Sequence, residues 1–328
     1  MRYLDTTTTD RPDAPRWSAI GLGTWQFGSR EWGYGEDYLP RARAIVRRAL
    51  ELGITVFDTA EVYALGRSER VLGEALGEER ERAVVASKIF PVLPVAPVVQ
   101  QRAVASASRL GVRRIDLYQV HQANPLVRDG TTMAGMRSLQ DVGLVDQVGV
   151  SNYSLGRWQR AEAALGRPVL SNQVQYSLVA RGPDADLVPW ARETGHVVIA
   201  YSPLGQGLLS GRYDADHRPA GDVRALNPLF LPENLERAGA LVQALRDVAD
   251  AHDASPAQVA LAWVVRSPHV VAIPGASSVE QLESNAAAGD LVLADDEVAA
   301  LTGAAEAFAP VTGAAAVRGL VRERLRPS

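Results

Sequence analysis

Apolar positions along the chain fall into two alternating rhythms. Short apolar runs rich in β-branched residues are followed by longer stretches in which apolar residues return every three or four positions. The first rhythm suits a strand buried on both faces, the second a helix with one buried stripe. A strand over 17–25 ends in a Gly-rich turn, and 40–52 predicts a helix with Ile45, Ala49 and Leu52 on one face. Further strands are predicted over 54–57, 83–89, 115–121, 145–150, 169–174, 197–201 and 270–273. Helices fall between them over 68–76, 97–110, 131–142, 155–165, 185–194, 234–252 and 257–266, with two more over 279–287 and 295–305. From 202 to 232 both rhythms stop, which marks a long candidate functional loop after the seventh strand.

Eight strands alternating with helices, with no linker or composition shift, predict residues 1–328 to be one α/β domain with a parallel sheet. An open dinucleotide-binding sheet calls for G-x-G-x-x-G after its first strand, and neither GLGTWQ nor GQGLLSG fits. A closed (β/α)8 TIM barrel is the expected fold. Its length, with insertions, suits a single barrel.

Composition narrows the function classes. The chain is 47% hydrophobic and 22% charged with a net charge of −4, so nucleic acid is not expected as the main partner. No apolar run is long enough to cross a membrane, and the N-terminal segment lacks the apolar core of a secretory signal. Cytoplasmic location is expected. There is no cysteine, which removes disulfides and thiolate chemistry, and the five histidines show no metal-ligand spacing. Every basic Lys or Arg is Arg except Lys88. A tunable ammonium is one property that Arg cannot supply.

Polar residues end successive apolar runs: Asp58 and Tyr63 after the second strand, Lys88 at the third, His121 at the fourth. Singly, each has a structural explanation. Asp58 can cap a helix, Lys88 can snorkel and His121 can be a satisfied core residue. On one barrel all four would share the C-terminal face, where such folds place their chemistry. Trp25, Trp32 and Phe90 lie in loops expected at the same mouth and are the candidate substrate-binding residues.

The motifs GLGTW, DTAEVY, SKI, YQVH, VGVSNYS, NQVQYS, AYSPLGQGLLSGRY and IPGASSVEQLESN together resemble the aldo-keto reductase family over nearly the whole chain. The resemblance implies a (β/α)8 barrel that binds a nicotinamide cofactor and reduces a small carbonyl substrate to an alcohol. It implies a catalytic tetrad of Asp58, Tyr63, Lys88 and His121, with Tyr63 as proton donor. Lys88 would lower the phenol pKa, Asp58 would hold Lys88, and His121 would orient the carbonyl.

The same resemblance implies a cofactor site. Ser151, Asn152 and Gln173 would bond the carboxamide, and Tyr201 would stack on the ring. Ser202, Leu204, Gly205, Gly207 and Leu208 would approach the pyrophosphate. Ile273, Gly275, Ser277, Gln281 and Asn285 would line the adenosine end, and Gly23, Thr24, Trp25 and Asp58 would complete the contacts. The resemblance favours NADP(H), but less securely than in the family at large, with NAD(H) as the alternative, because this chain has Ser277, Ser278 and Gln281 where many relatives carry basic residues. Two other readings compete: a Schiff-base aldolase or lyase acting through Lys88, and a non-enzymatic auxiliary subunit of a membrane channel that senses the cofactor.

Overall fold

The computed structural model describes residues 1–4, 14–29, 38–219, 224 and 226–324. Eight strands pair in parallel, each with its neighbours in sequence: β1 (Leu22–Gly23), β2 (Val56–Asp58), β3 (Val84–Ile89), β4 (Ile115–Val120), β5 (Val145–Ser151), β6 (Val169–Gln175), β7 (Val197–Tyr201) and β8 (Val270–Ala272). The sheet curls until its edges meet. Ile20 bridges Ala272, Gly23 bridges Gly275, and Gly21 N donates to Ala272 O at 2.8 Å. A β-carbon on Gly23 would lie 2.7 Å from Ile273 O, so this closure needs a residue with no side chain.

Helices surround the barrel: α1 (Tyr38–Glu51), α2 (Arg67–Leu76), α3 (Ala96–Leu110), α4 (Asp129–Asp141), α5 (Leu155–Leu165) and α6 (Leu187–Thr194). The passage from β7 to β8 carries both α7 (Pro232–Ala251) and α8 (Pro256–Val264), and α9 (Val279–Ala287), α10 (Asp295–Ala307) and α11 (Gly313–Arg324) follow β8. In α1 the buried stripe is Ala42, Ile45, Val46, Ala49 and Leu50. Helix α8 starts with a capping box in which Ser255 and Gln258 satisfy each other's backbone N–H groups. No helix among the described residues is long and apolar enough to cross a membrane.

One expectation needs correction. The segment over 17–25 is not one strand: only Leu22–Gly23 forms a strand, Ile20 makes an isolated bridge to Ala272, and Ser18 pairs antiparallel with Tyr3. Leu4 N donates to Trp17 O at 2.7 Å, and Tyr3 Oη donates to Gly53 O just before β2. The start of the chain thus packs against the N-terminal end of the barrel. At the other end of the described residues, α11 packs on the segment that leads into α7. Ala316 is buried, and a β-carbon on Gly319 would lie 3.0 Å from a Leu231 methyl.

Strand periodicity decides which side chains enter the barrel. Lys88 pairs with Gln119 in register, Gly149 with Ser171, and Ser151 with Gln173. Inward positions recur every second residue, so Gln119 and His121 share a face of β4, and Ser171 and Gln173 share one of β6. The polar ends therefore converge at one mouth.

Candidate active site

Lys88 is completely buried. Its ammonium donates to Asp58 Oδ1 at 2.5 Å, to Thr59 O at 2.8 Å and to Tyr63 Oη at 3.3 Å, which uses all three of its protons. Burial opposes the charge, but Asp58 and Tyr63 favour it more, and the Lys88 pKa is raised. A buried cation without such partners would shed its proton instead. Held charged and fully bonded, Lys88 offers no free lone pair to attack a carbonyl, which counts against the Schiff-base reading.

Asp58 Oδ2 accepts from Gln173 Nε2 at 2.7 Å and, more distantly, from Gln119 Nε2 at 3.5 Å. Both carboxylate oxygens are thus occupied. Gln119 is missing from the sequence-derived site, although its signal was present: a polar residue two positions before His121 on the same face of an apolar strand. Thr24, expected at the cofactor, is instead fully buried. Its hydroxyl meets Asp58 O and Ser68 Oγ, each at 2.9 Å. Leu208 also has no accessible surface, since its apolar side chain packs into the core.

Tyr63 begins a tight turn, Tyr63–Gly66, in which Ala64 and Leu65 both adopt positive φ. Burial raises the phenol pKa, and Lys88 pulls it down without reversing the shift. The expected net lowering by Lys88 therefore does not hold in the free protein, because desolvation outweighs the nearby ammonium. His121 lies edge-on to Tyr63 with ring centres 5.8 Å apart. Its Nδ1 is buried without a hydrogen-bond partner, and burial followed by the Lys88 charge pushes its pKa down to about 3. The imidazole is neutral at ordinary pH. Phe90 stands edge-on to His121 at 6.0 Å, and Trp25 lies 6.4 Å from Tyr63, so aromatic rings line this side of the mouth. Trp32 lies outside the described residues.

The facing strand ends carry neutral groups. Ser151 Oγ donates to Gln173 O at 2.8 Å, and Tyr201 Oη donates to Asn152 Oδ1 at 3.0 Å. Asn152 has φ of 60°, a left-handed conformation that Asn tolerates better than most residues. After β7 the backbone turns repeatedly through positive φ, at Ser202, Gly205, Gln206 and Gly207. Such turns gather N–H groups into concavities suited to anions. Leu204 is half-buried in this turn. Beyond β8, Ile273 N donates to Ala200 O, and Asn285 Nδ2 donates to Gly275 O at 3.3 Å. Ser277 donates twice to Gln281 Oε1, at 2.8 Å from both N and Oγ. Neutral amides and hydroxyls, an open phenol ring and an amide-lined turn fit the parts of a nicotinamide dinucleotide.

The aldo/keto reductase family model matches residues 19–306. An uncharacterized oxidoreductase of Mycobacterium tuberculosis is 57% identical over 328 residues, 99% of each chain. Methylglyoxal reductase YeaE of Escherichia coli is 34% identical over 287 residues, 86% of this chain and 89% of that one. Among solved structures, an aldo/keto reductase from Klebsiella pneumoniae in complex with NADP and acetate superposes with a TM-score of 0.73 at 32% identity, covering 91% of this chain and 94% of that one. The chain belongs to the aldo/keto reductase family and is an oxidoreductase.

Proposed function

We propose that this chain reduces an aldehyde or ketone to the alcohol with NADPH, Tyr63 giving the proton. The observation that carries this reading is the placement of Lys88, whose buried ammonium touches Asp58 and Tyr63 together. A reduced nicotinamide, when bound, would supply the hydride to the carbonyl carbon. As negative charge grows on the carbonyl oxygen, the Tyr63 hydroxyl donates its proton to that oxygen. The resulting phenolate is stabilised by Lys88, whose own charge is secured by Asp58. His121 is neutral, so it orients the oxygen through a hydrogen bond and does not compete as the acid.

Ser151, Asn152 and Gln173 would hold the carboxamide, Tyr201 would pack on the ring, and the turn after β7 would take the pyrophosphate. NADP(H) is the preferred dinucleotide, as crystallised with the Klebsiella pneumoniae relative. Because Ser277, Ser278 and Gln281 bring no positive charge, the margin over NAD(H) is modest. The substrate is a small carbonyl compound, a class that includes the one named for the Escherichia coli relative.

Tyr63→Phe tests the assignment. With a reactive aldehyde, kcat should fall on the order of 100-fold to 10,000-fold while NADPH affinity, read by fluorescence titration, changes little. A Phe variant that turns over at the parent rate would remove Tyr63 from this role.

A further inference from the structure

The end of β3 is gripped by charges that take no part in the proton chemistry. Glu61, in the loop after β2, has a side chain only 7% exposed, and its Oε1 accepts a hydrogen bond from Phe90 N. Arg102, on α3, binds the same carboxylate as a fork: Nε donates to Oε2 at 2.8 Å, and Nη2 lies 2.6 Å from Oε1. Its third nitrogen, Nη1, donates to Phe90 O at 2.9 Å. One ion pair thus takes both backbone polar groups of one residue. The next carbonyl, Pro91 O, accepts from Asn124 Nδ2 at 2.7 Å, from the loop after β4.

Backbone at the edge of a barrel mouth needs no such hold, because water can satisfy it. Val92 N also donates to Phe90 O, at 2.8 Å, but the side chains beyond Phe90 open to solvent. Val92 and Leu93, the next apolar residues, are each 61% exposed. What is held is the Phe90 backbone, and its ring, 36% exposed, stands perpendicular to His121 with centres 6.0 Å apart.

We propose that Glu61 and Arg102 are positioning residues for substrate choice: they lock the Phe90 backbone so that its ring forms a rigid wall beside His121, favouring carbonyls that carry a flat aromatic group. The inference rests on the reductase reading above. An immobile ring offers contact area without an ordering cost when substrate arrives, whereas a mobile one loses part of that gain. A small aliphatic aldehyde does not reach the wall and is indifferent to it.

The test compares 4-nitrobenzaldehyde with propanal in the parent, Arg102→Ala and Glu61→Gln. Glu61→Gln keeps an acceptor for Phe90 N, loses the ion pair and leaves no buried charge unpaired, so it covers a failure of Arg102→Ala to fold. In both variants KM for the aromatic aldehyde should rise about tenfold with kcat within about twofold, and both constants for propanal should hold within about twofold. Arg102→Lys keeps the charge without the fork and should leave the aromatic KM raised. Amide exchange at Phe90, followed by mass spectrometry, should quicken about tenfold or more in Arg102→Ala. Equal changes for the two aldehydes, unchanged constants or unchanged Phe90 exchange would each overturn the proposal. A parent inert toward both aldehydes defeats the reductase reading instead, and the exchange result then decides the clamp alone.

Discussion

Across the barrel mouth, the ends of β2 to β4 and those of β5 to β7 face each other with different chemistry. The first side holds a buried ion pair, Lys88 with Asp58, and a neutral histidine beside it. The second side offers only hydroxyls and amides, on Ser151, Asn152, Gln173 and Tyr201. Buried charges must be paired and fully bonded before anything binds, so the ionic side is preformed. Neutral hydrogen bonds are worth about 0.5–1.5 kcal/mol net, so the other side can exchange partners with a ligand at small cost. One side is built to stay as it is, the other to be re-bonded. They are joined where Gln173 Nε2 donates to Asp58 Oδ2 at 2.7 Å, so a group that engages Gln173 also touches the support of Lys88.

The largest effect expected from this contrast is that of Lys88→Met. It leaves the Asp58 carboxylate buried without its cation, which should cost about 3–5 kcal/mol. Ser151→Ala, which removes one neutral bond on the other side, should cost about 1 kcal/mol. Urea denaturation of the two variants measures the difference. Similar losses in both would mean that the ion pair is no more preformed than the neutral groups.

A second test uses acid. The His121 pKa is lowered to about 3 by burial and then by Lys88, from about 6.5 in an unfolded chain. Between those values the unfolded chain binds a proton that the folded one refuses, so stability falls as pH drops below about 6.5. At pH 5 this one group can cost at most about 2 kcal/mol. His121→Phe keeps a ring between Tyr63 and Phe90 and should flatten the loss of stability between pH 7 and pH 5. A variant that loses as much as the parent would show that His121 is not held neutral in the folded protein.

The same contrast explains what could be read from the sequence. A polar residue closing an apolar strand is costly unless it is used, so Asp58, Lys88 and His121 stood out, and the periodicity of buried strands revealed the barrel. Gln119 gave the same kind of signal inside IDLYQVH but lay within the run instead of at its end. The Glu61 and Arg102 clamp was illegible because it joins a loop to a helix 41 residues apart, a contact that only packing creates. The net direction of the Tyr63 shift was also out of reach. A sequence supplies the neighbouring charge, but the burial that outweighs it comes from the fold. The pairing of Tyr3 with Ser18 involves too short a stretch to show any rhythm.

The smallest effect expected concerns the turn that carries Tyr63. Leu65 has φ of 55° and is 91% exposed, so it bears left-handed strain and has almost no packing to lose. That conformation costs a residue with a side chain about 1–2 kcal/mol, and glycine avoids it. Glycine adds about 0.5–1 kcal/mol of unfolded-chain entropy against folding. Leu65→Gly should therefore stabilise the protein by about 0.5–1 kcal/mol, read as a higher denaturation midpoint at unchanged m. The strain persists in the parent because Gly66 and the buried start of α2 fix where the turn must end, while Lys88 fixes where Tyr63 must begin. If Leu65→Gly raises stability and leaves the Tyr63 to Lys88 contact intact, the ionic side alone places the phenol. A fall in stability would mean that the exposed leucine contributes to the turn, and that the preformed side is held from the surface as well as from within.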